Sequence, residues 1–160
     1  MTEFTHIDEK GRVRMVDVTQ KKPTERTAVA TGMISMNAET FDAIQNQKVK
    51  KGNVLETARI AGVMAAKKTA ELIPMCHPLN ITHIQIDFSP DAAKSRIDIE
   101  AAVRAIDQTG VEMEAITAVS VAALTIYDMC KSIDKEMTIS NIQLLKKTGG
   151  KSGTYVRKGK

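Results

Sequence analysis

The residues with the most chemical promise sit at the two ends of one long uncharged stretch. Asp128 and Lys131 are three apart in a segment of helical character, which puts them on one face. A carboxylate beside an ammonium group can pass protons; burial would raise the acid's pKa, and the lysine would lower it. The same spacing also makes an ordinary ion pair at a helix end. At the other end, Glu112 and Glu114 flank Met113 and point to different sides. Acids there suit a helix N-terminus whatever else they do. Fourteen residues separate Glu114 from Asp128, about 21 Å along a straight helix. A small substrate does not readily touch both ends of one copy. A site using both ends must combine two chains, or there must be two sites.

Other candidates are weaker alone. His77 stands in Cys76-His77-Pro78, and a lone loop histidine is more often a surface or packing residue. Lys51-Gly52-Asn53 precedes a helix start, whose free N–H groups can hold an anion; it reads equally as a plain cap after a flexible glycine. The run Lys147-Thr148-Gly149-Gly150-Lys151-Ser152-Gly153 looks able to fold over phosphate but lacks the full P-loop spacing. Cys76 and Cys130 are 54 positions apart, with no Cys or His at metal-ligand spacing, so neither a metal site nor a disulfide framework is expected.

The elements that must position these residues follow from periodicity. Residues 1–11 read as a polar arm, and Arg12–Val18 alternates like a short strand. Arg26–Met36 is rich in β-branched residues and reads as a longer strand, after which Asn37 caps a short helix to about Gln45. A basic loop, Asn46–Gly52, leads to a long helix. Asn53 and Glu56 can form its capping box, and it runs to about Leu72, before Pro74. Its stripe of Ala58, Ala61, Gly62, Ala65 and Ala66 permits close approach to a neighbour, and Lys67 lies in its last turns. His83–Ser89 and Arg96–Arg104 alternate as an antiparallel hairpin turning at Pro90-Asp91. A second long helix spans Val111 to about Ile133, a last strand Met137–Leu145, and the remainder, 146–160, reads as a mobile basic tail containing glycines. Without the N-terminal strand and the short helix, the order strand-helix-strand-strand-helix-strand is a ferredoxin-like split βαβ sandwich. This is an α+β fold, with an antiparallel sheet carrying both long helices on one face.

Composition narrows the function classes. At 160 residues and 42% hydrophobic content, one domain spanning 1–160 is expected. Aromatic residues make up 3% of the chain, too few for a face that stacks several bases. Six of the 23 basic residues lie in the tail, leaving 17 basic against 19 acidic groups, a net −2, in residues 1–145. The positive charge is thus a property of the tail, which suits an anion. These features disfavour nucleic acid. The uncharged runs Leu72–Ile86 and Ala115–Tyr127 fall short of the ~20 residues of a membrane span, and no apolar run opens the chain as a signal peptide would. A soluble cytoplasmic protein is expected.

Read jointly, the sequence blocks are more specific. Lys51-Gly52-Asn53-Val54, Ala58-Arg59-Ile60-Ala61-Gly62 and the run from Glu71 to Leu79 resemble the cyclic pyranopterin monophosphate synthase family of molybdenum cofactor biosynthesis. So do Thr109–Ala115, Ala122–Lys131, Gly149–Gly153 and the N-terminal Thr5-His6-Ile7 and Met15–Val18. The resemblance implies a lyase that converts 3′,8-cyclo-7,8-dihydroguanosine 5′-triphosphate to cyclic pyranopterin monophosphate and releases pyrophosphate. It also implies a ferredoxin-like fold and a homohexamer, a trimer of dimers, with the pocket at a dimer interface. Asp128 falls on the catalytic aspartate and Lys131 on its partner lysine, with Lys51 beside them in role. Met75, Cys76, His77, Met113 and Glu114 fall on substrate-contacting segments, and Lys67, Glu112 and Arg26 on further pocket positions. One departure is Asn53, where the family usually has Asp; Asn caps a helix as well. No cofactor or protein-bound metal is expected, although a magnesium ion could accompany the triphosphate. The alternative is a non-catalytic ferredoxin-like oligomeric module that binds nucleotide or nucleic acid.

Overall fold

The computed structural model of the chain describes residues 7, 8 and 10–158. Its elements are β1 (Thr24–Ser35), α1 (Ala38–Gln45), α2 (Val54–Lys67), α3 (Thr69–Leu72), β2 (Ile81–Asp91), β3 (Arg96–Asp107), α4 (Glu112–Cys130), β4 (Thr138–Thr148) and β5 (Tyr155–Val156). The sheet has the order β2-β3-β1-β4-β5, every pair antiparallel. Crossovers by α2 and α4 produce the expected split βαβ arrangement, with β5 added at one edge.

Alternation decides which face of the sheet is covered. Ala28, Ala30 and Ile34 of β1, and Ile97, Ile99, Ala101, Val103 and Ala105 of β3, are buried on one side. Over them lie the buried Ala115, Ala118, Val119, Ala122 and Ile126 of α4, which packs on β1, β3 and β4, while α2 packs on β2 and against α4. By length and composition α4 could cross a membrane, with a mean hydropathy of 1.3, but here its apolar side chains form the core between sheet and α2.

The close helix approach foreseen from the small-residue stripe centres on Gly62. A Cβ there would lie 2.5 Å from Ile86 Cδ1 and 2.9 Å from the Ala118 carbonyl oxygen. The two helices run antiparallel, since Lys51, just before α2, touches Asp128 near the end of α4, whereas Gly62 meets Ala118.

Several boundaries differ from the sequence expectation. The capping box is half made: Asn53 Oδ1 accepts the Glu56 N–H at 3.2 Å, but the Glu56 carboxylate holds Arg59 instead of returning. The long helix breaks at Lys68. Thr69 Oγ1 donates to the carbonyls of Ala65 and Ala66, at 3.2 and 3.0 Å, competing with the backbone for them. The hairpin strand runs through Pro90 and turns at Ala92–Lys94 and the left-handed Ser95. Pro90 is tolerated because β2 is an edge strand. The second long helix ends at Cys130, three residues short of Ile133.

Two larger corrections concern the ends of the chain. Arg12–Val18 is not a strand; its strand-like contact is a lone bridge from Val13 to Ile7. Both edges of β1 are taken by β3 and β4, and Val13, at 67% exposure, has no buried face to fill. Asp8 instead gathers the N–H groups of Lys10 and Arg12 at 2.9 and 2.8 Å into a local turn. Most of the remaining polar arm, residues 1–6 and 9, lies outside the described residues. At the other terminus β4 continues to Thr148, and β5 returns to pair with Lys146 and Lys147. Two pieces of the basic tail, residues 146–148 and Tyr155–Val156, therefore belong to the sheet, with a loop between them.

Replacing Gly62 by Val should lower stability by about 1–3 kcal/mol through overpacking, despite removing a helical glycine. A fall in the urea midpoint at unchanged m-value would show it.

Candidate active site

The end of α4 brings three predicted residues together. Lys131 Nζ lies 2.7 Å from Asp128 Oδ1, and Lys51 Nζ lies 3.3 Å from Oδ2 and donates to the Asp128 carbonyl oxygen at 2.8 Å. Lys51 reaches this position because the buried Val49 and Val54 pin its loop on either side. The hydrogen bond from Lys131, then that from Lys51, holds the Asp128 carboxyl below the usual carboxylate range; Asp128 in turn raises the Lys131 ammonium. Desolvation, which would raise this acid, is the smallest contribution and is outweighed by the two lysines, because Asp128 and both lysines are exposed.

The opposite end of α4 gathers another group. A cavity of about 410 Å³ is lined by Met75, Cys76, His77, Glu112, Met113 and Glu114. Val16 and Val18, expected in a strand, also line this cavity. Glu114 is 3% exposed, and its carboxyl is pushed up to about 7. Burial is the main cause; its own backbone N–H opposes the shift, and the nearby Glu112 and Asp107 charges add to it. Such an acid exchanges its proton near neutral pH. Burial, then the Glu114 charge, raises the neighbouring Cys76 thiol.

Adjoining it is a larger cavity of about 970 Å³, which shares Lys21, Thr109, Gly110 and Glu112 with the smaller one. Here Arg26 is 9% exposed, donating from Nε and Nη2 to the carbonyls of Asp107 and Gln108, each at 3.2 Å. Lys21, Lys22, Lys147 and Lys151 share this lining with Asp17 and Glu112. This gives basic groups suited to an anion. Lys67 is exposed at the end of α2, at the same end of the molecule as Glu114 but outside both linings.

The predicted residues therefore fall into two sets at opposite ends of α4: Lys51, Asp128 and Lys131 at one, the rest at the other. Asn53, the departure noted in the sequence, keeps its capping role. Lys21, Lys22 and Asp17 were not singled out. Their signal is faint, a basic pair beside Pro23 that reads as a turn. Lys147 and Lys151 lay in the glycine-rich run already suspected of phosphate contact. Among the described residues no three His, Cys, Asp or Glu side chains are grouped to hold a metal.

A family model described as the MoaC family matches residues 15–150. The chain belongs to the MoaC family. A cyclic pyranopterin monophosphate synthase of Desulforapulum autotrophicum is 67% identical over 156 residues, covering 98% of this chain and 96% of the relative. One of Desulfatibacillum aliphaticivorans is 63% identical over 159 residues, covering 99% and 100%. Another, of Pelotomaculum thermopropionicum, is 58% identical over 159 residues, covering 99% and 94%. Relatives named as an enzyme over nearly full length bear out the family resemblance read from the sequence blocks. The alternative of a non-catalytic binding module gains no support from these MoaC relatives.

In this MoaC-family chain the raised Glu114 pKa implies a pH dependence. Between about 4.5 and 7 the folded chain keeps a proton that the unfolded chain has lost, so stability falls as pH rises through this window. Glu114→Gln should match the wild type below pH 4.5 and be more stable above pH 7 by on the order of 3 kcal/mol. Urea titrations across that range would measure the gap, which should shrink wherever a cation from another chain meets the carboxylate.

Proposed function

We propose that this MoaC-family chain converts 3′,8-cyclo-7,8-dihydroguanosine 5′-triphosphate to cyclic pyranopterin monophosphate and pyrophosphate, as a soluble cytoplasmic lyase. The observation that carries the reading is near full-length identity of 67% to a cyclic pyranopterin monophosphate synthase. The residue types suit the chemistry. Opening the imidazole ring of the purine and rebuilding a pterin requires several proton transfers, for which Asp128 with Lys131 and Lys51 is equipped. Closing the cyclic phosphate needs a hydroxyl to attack the α-phosphorus as pyrophosphate leaves, and cations aimed at the leaving group stabilise it. Met75, Cys76, His77, Met113 and Glu114 contact the substrate, with Lys67, Glu112 and Arg26 at further pocket positions. No redox step enters. The reading needs no resident cofactor, and a magnesium ion bound to the triphosphate belongs to the substrate.

The working unit in this reading is a homo-oligomer, a hexamer built as a trimer of dimers, with each site shared between two protomers. The separation of the two residue sets by about 21 Å of helix supports sharing. So does their charge: Lys51 and Lys131 flank one end, and Glu112, Glu114 and Asp107 crowd the other. Ile60, Met64 and Leu124 leave apolar side chains exposed on α2 and α4, surface that a second copy would cover.

Incubation with the cyclic nucleotide should release pyrophosphate, and a folded chain that releases none overturns the reading. Asp128→Asn keeps the shape but loses the proton acceptor, so turnover should fall at least ~100-fold. Mixing inactive Glu114→Ala and Asp128→Ala chains under subunit exchange should restore part of the activity, because a mixed dimer carries one intact site. Exchange without recovery would exclude the shared site.

A further inference from the structure

Arg26 is a buried cation with no ion pair among the described residues. Its place on the core-facing side of β1, in register with Ala28 and Ala30, forces the side chain inward. Two of its nitrogens, Nε and Nη2, are committed to the Asp107 and Gln108 carbonyls, which fix the plane of the guanidinium. An unpaired charge so placed is costly unless an anion meets it. The third nitrogen, Nη1, lies against the backbone of Gly150, and both residues line the larger cavity. A Cβ added at Gly150 would stand 2.8 Å from Arg26 Cζ and 3.2 Å from Nη2, closer still to Nη1. The guanidinium cannot keep its two carbonyl partners and accept that atom.

We propose that Gly150 is a positioning residue for Arg26: lacking a side chain, it lets the guanidinium keep both carbonyl bonds while presenting Nη1 to a phosphate oxygen in the cavity. The identity of that ligand rests on the function proposed above; the contact between Gly150 and Arg26 does not. Gly149 is a poorer probe, because a Cβ there would also strike the Glu25 carbonyl. Gly153 is the proper control. Its φ of +63° is close to the +74° of Gly150, but a Cβ added there meets nothing within 4 Å. Backbone strain is thus common to both substitutions and contact with Arg26 is not.

The experiment measures inorganic pyrophosphate binding by calorimetry for the full chain and for Gly150→Ala, Gly153→Ala, Arg26→Ala and Arg26→Ala/Gly150→Ala. Gly150→Ala should weaken binding about tenfold or more, the loss of roughly one charge-assisted contact, and Gly153→Ala by less than about twofold. In the Arg26→Ala background, adding Gly150→Ala should change nothing further, since the clashing group is gone. With the cyclic nucleotide, Gly150→Ala should raise KM, and any fall in kcat should be no larger than that of Arg26→Ala. The proposal is overturned if Gly150→Ala binds like the wild type or no more weakly than Gly153→Ala. It is equally overturned if Gly150→Ala costs the same with and without Arg26, if it lowers kcat alone, or if the wild type binds no pyrophosphate. A wild type that shows the expected binding pattern but makes no pyrophosphate from the cyclic nucleotide would overturn the proposed reaction and leave the Gly150 assignment supported.

Discussion

The close packing of α2 on α4 governs the rest of the arrangement. With Gly62 against the Ala118 carbonyl, the two helices can share the covered face of the sheet with no large side chain between them. That contact fixes their direction and their relative height. Because the height is fixed, the loop before α2 delivers Lys51 to the end of α4, where Asp128 takes it. At the far end, the chain leaving α2 through α3 carries Met75, Cys76 and His77 to the start of α4. Both groups of polar residues are thus placed by one apolar contact that contains none of them.

The two ends differ in electrostatic character. At the Asp128 end, an exposed carboxylate is shared between two ammonium groups and is held ionised by them. At the Glu114 end, a buried carboxyl lies among other acids with no cation from its own helix, and it keeps its proton toward neutral pH. At the first end the cations pair directly with the carboxylate; at the second, Lys21, Lys22, Lys147 and Lys151 line the adjoining cavity beside Glu112 but, among the described residues, none forms an ion pair with Glu114. Arg26, oriented by two backbone carbonyls, keeps its positive charge and forms no ion pair with Glu114 among the described residues.

What the sequence disclosed, and what it hid, follows from the range of the forces involved. Alternation in β3 was legible because five inward residues, Ile97 to Ala105, all meet the same core. The length of α4 was legible from its uncharged run, and the distance between its polar ends followed from helix geometry. Arg12–Val18 misled because alternation signals a strand only if a free sheet edge awaits it, and that depends on where β3 and β4 bind. The break at Lys68 turned on one hydroxyl, that of Thr69, competing for two carbonyls. The role of Arg26 came from family resemblance and not from its surroundings. Its partners Asp107, Gln108 and Gly150 are more than 80 positions away in the chain. The Lys21–Lys22 pair was hidden for the same reason, since most of its neighbours in the cavity come from two remote stretches, around residues 108–112 and 147–152.

The straight run of α4 between Glu114 and Asp128 also constrains how this chain can vary over evolutionary time. A helix couples translation to rotation, so inserting or deleting one residue shifts an end by about 1.5 Å and swings it by about 100°. Such a change within α4 would turn Asp128 away from Lys51 while leaving the Glu114 end in place. Insertions should therefore be excluded from this helix even where individual side chains are free to drift. The Ala92–Ser95 turn between β2 and β3, which lines neither of the two adjoining cavities, can lengthen or shorten without such a penalty.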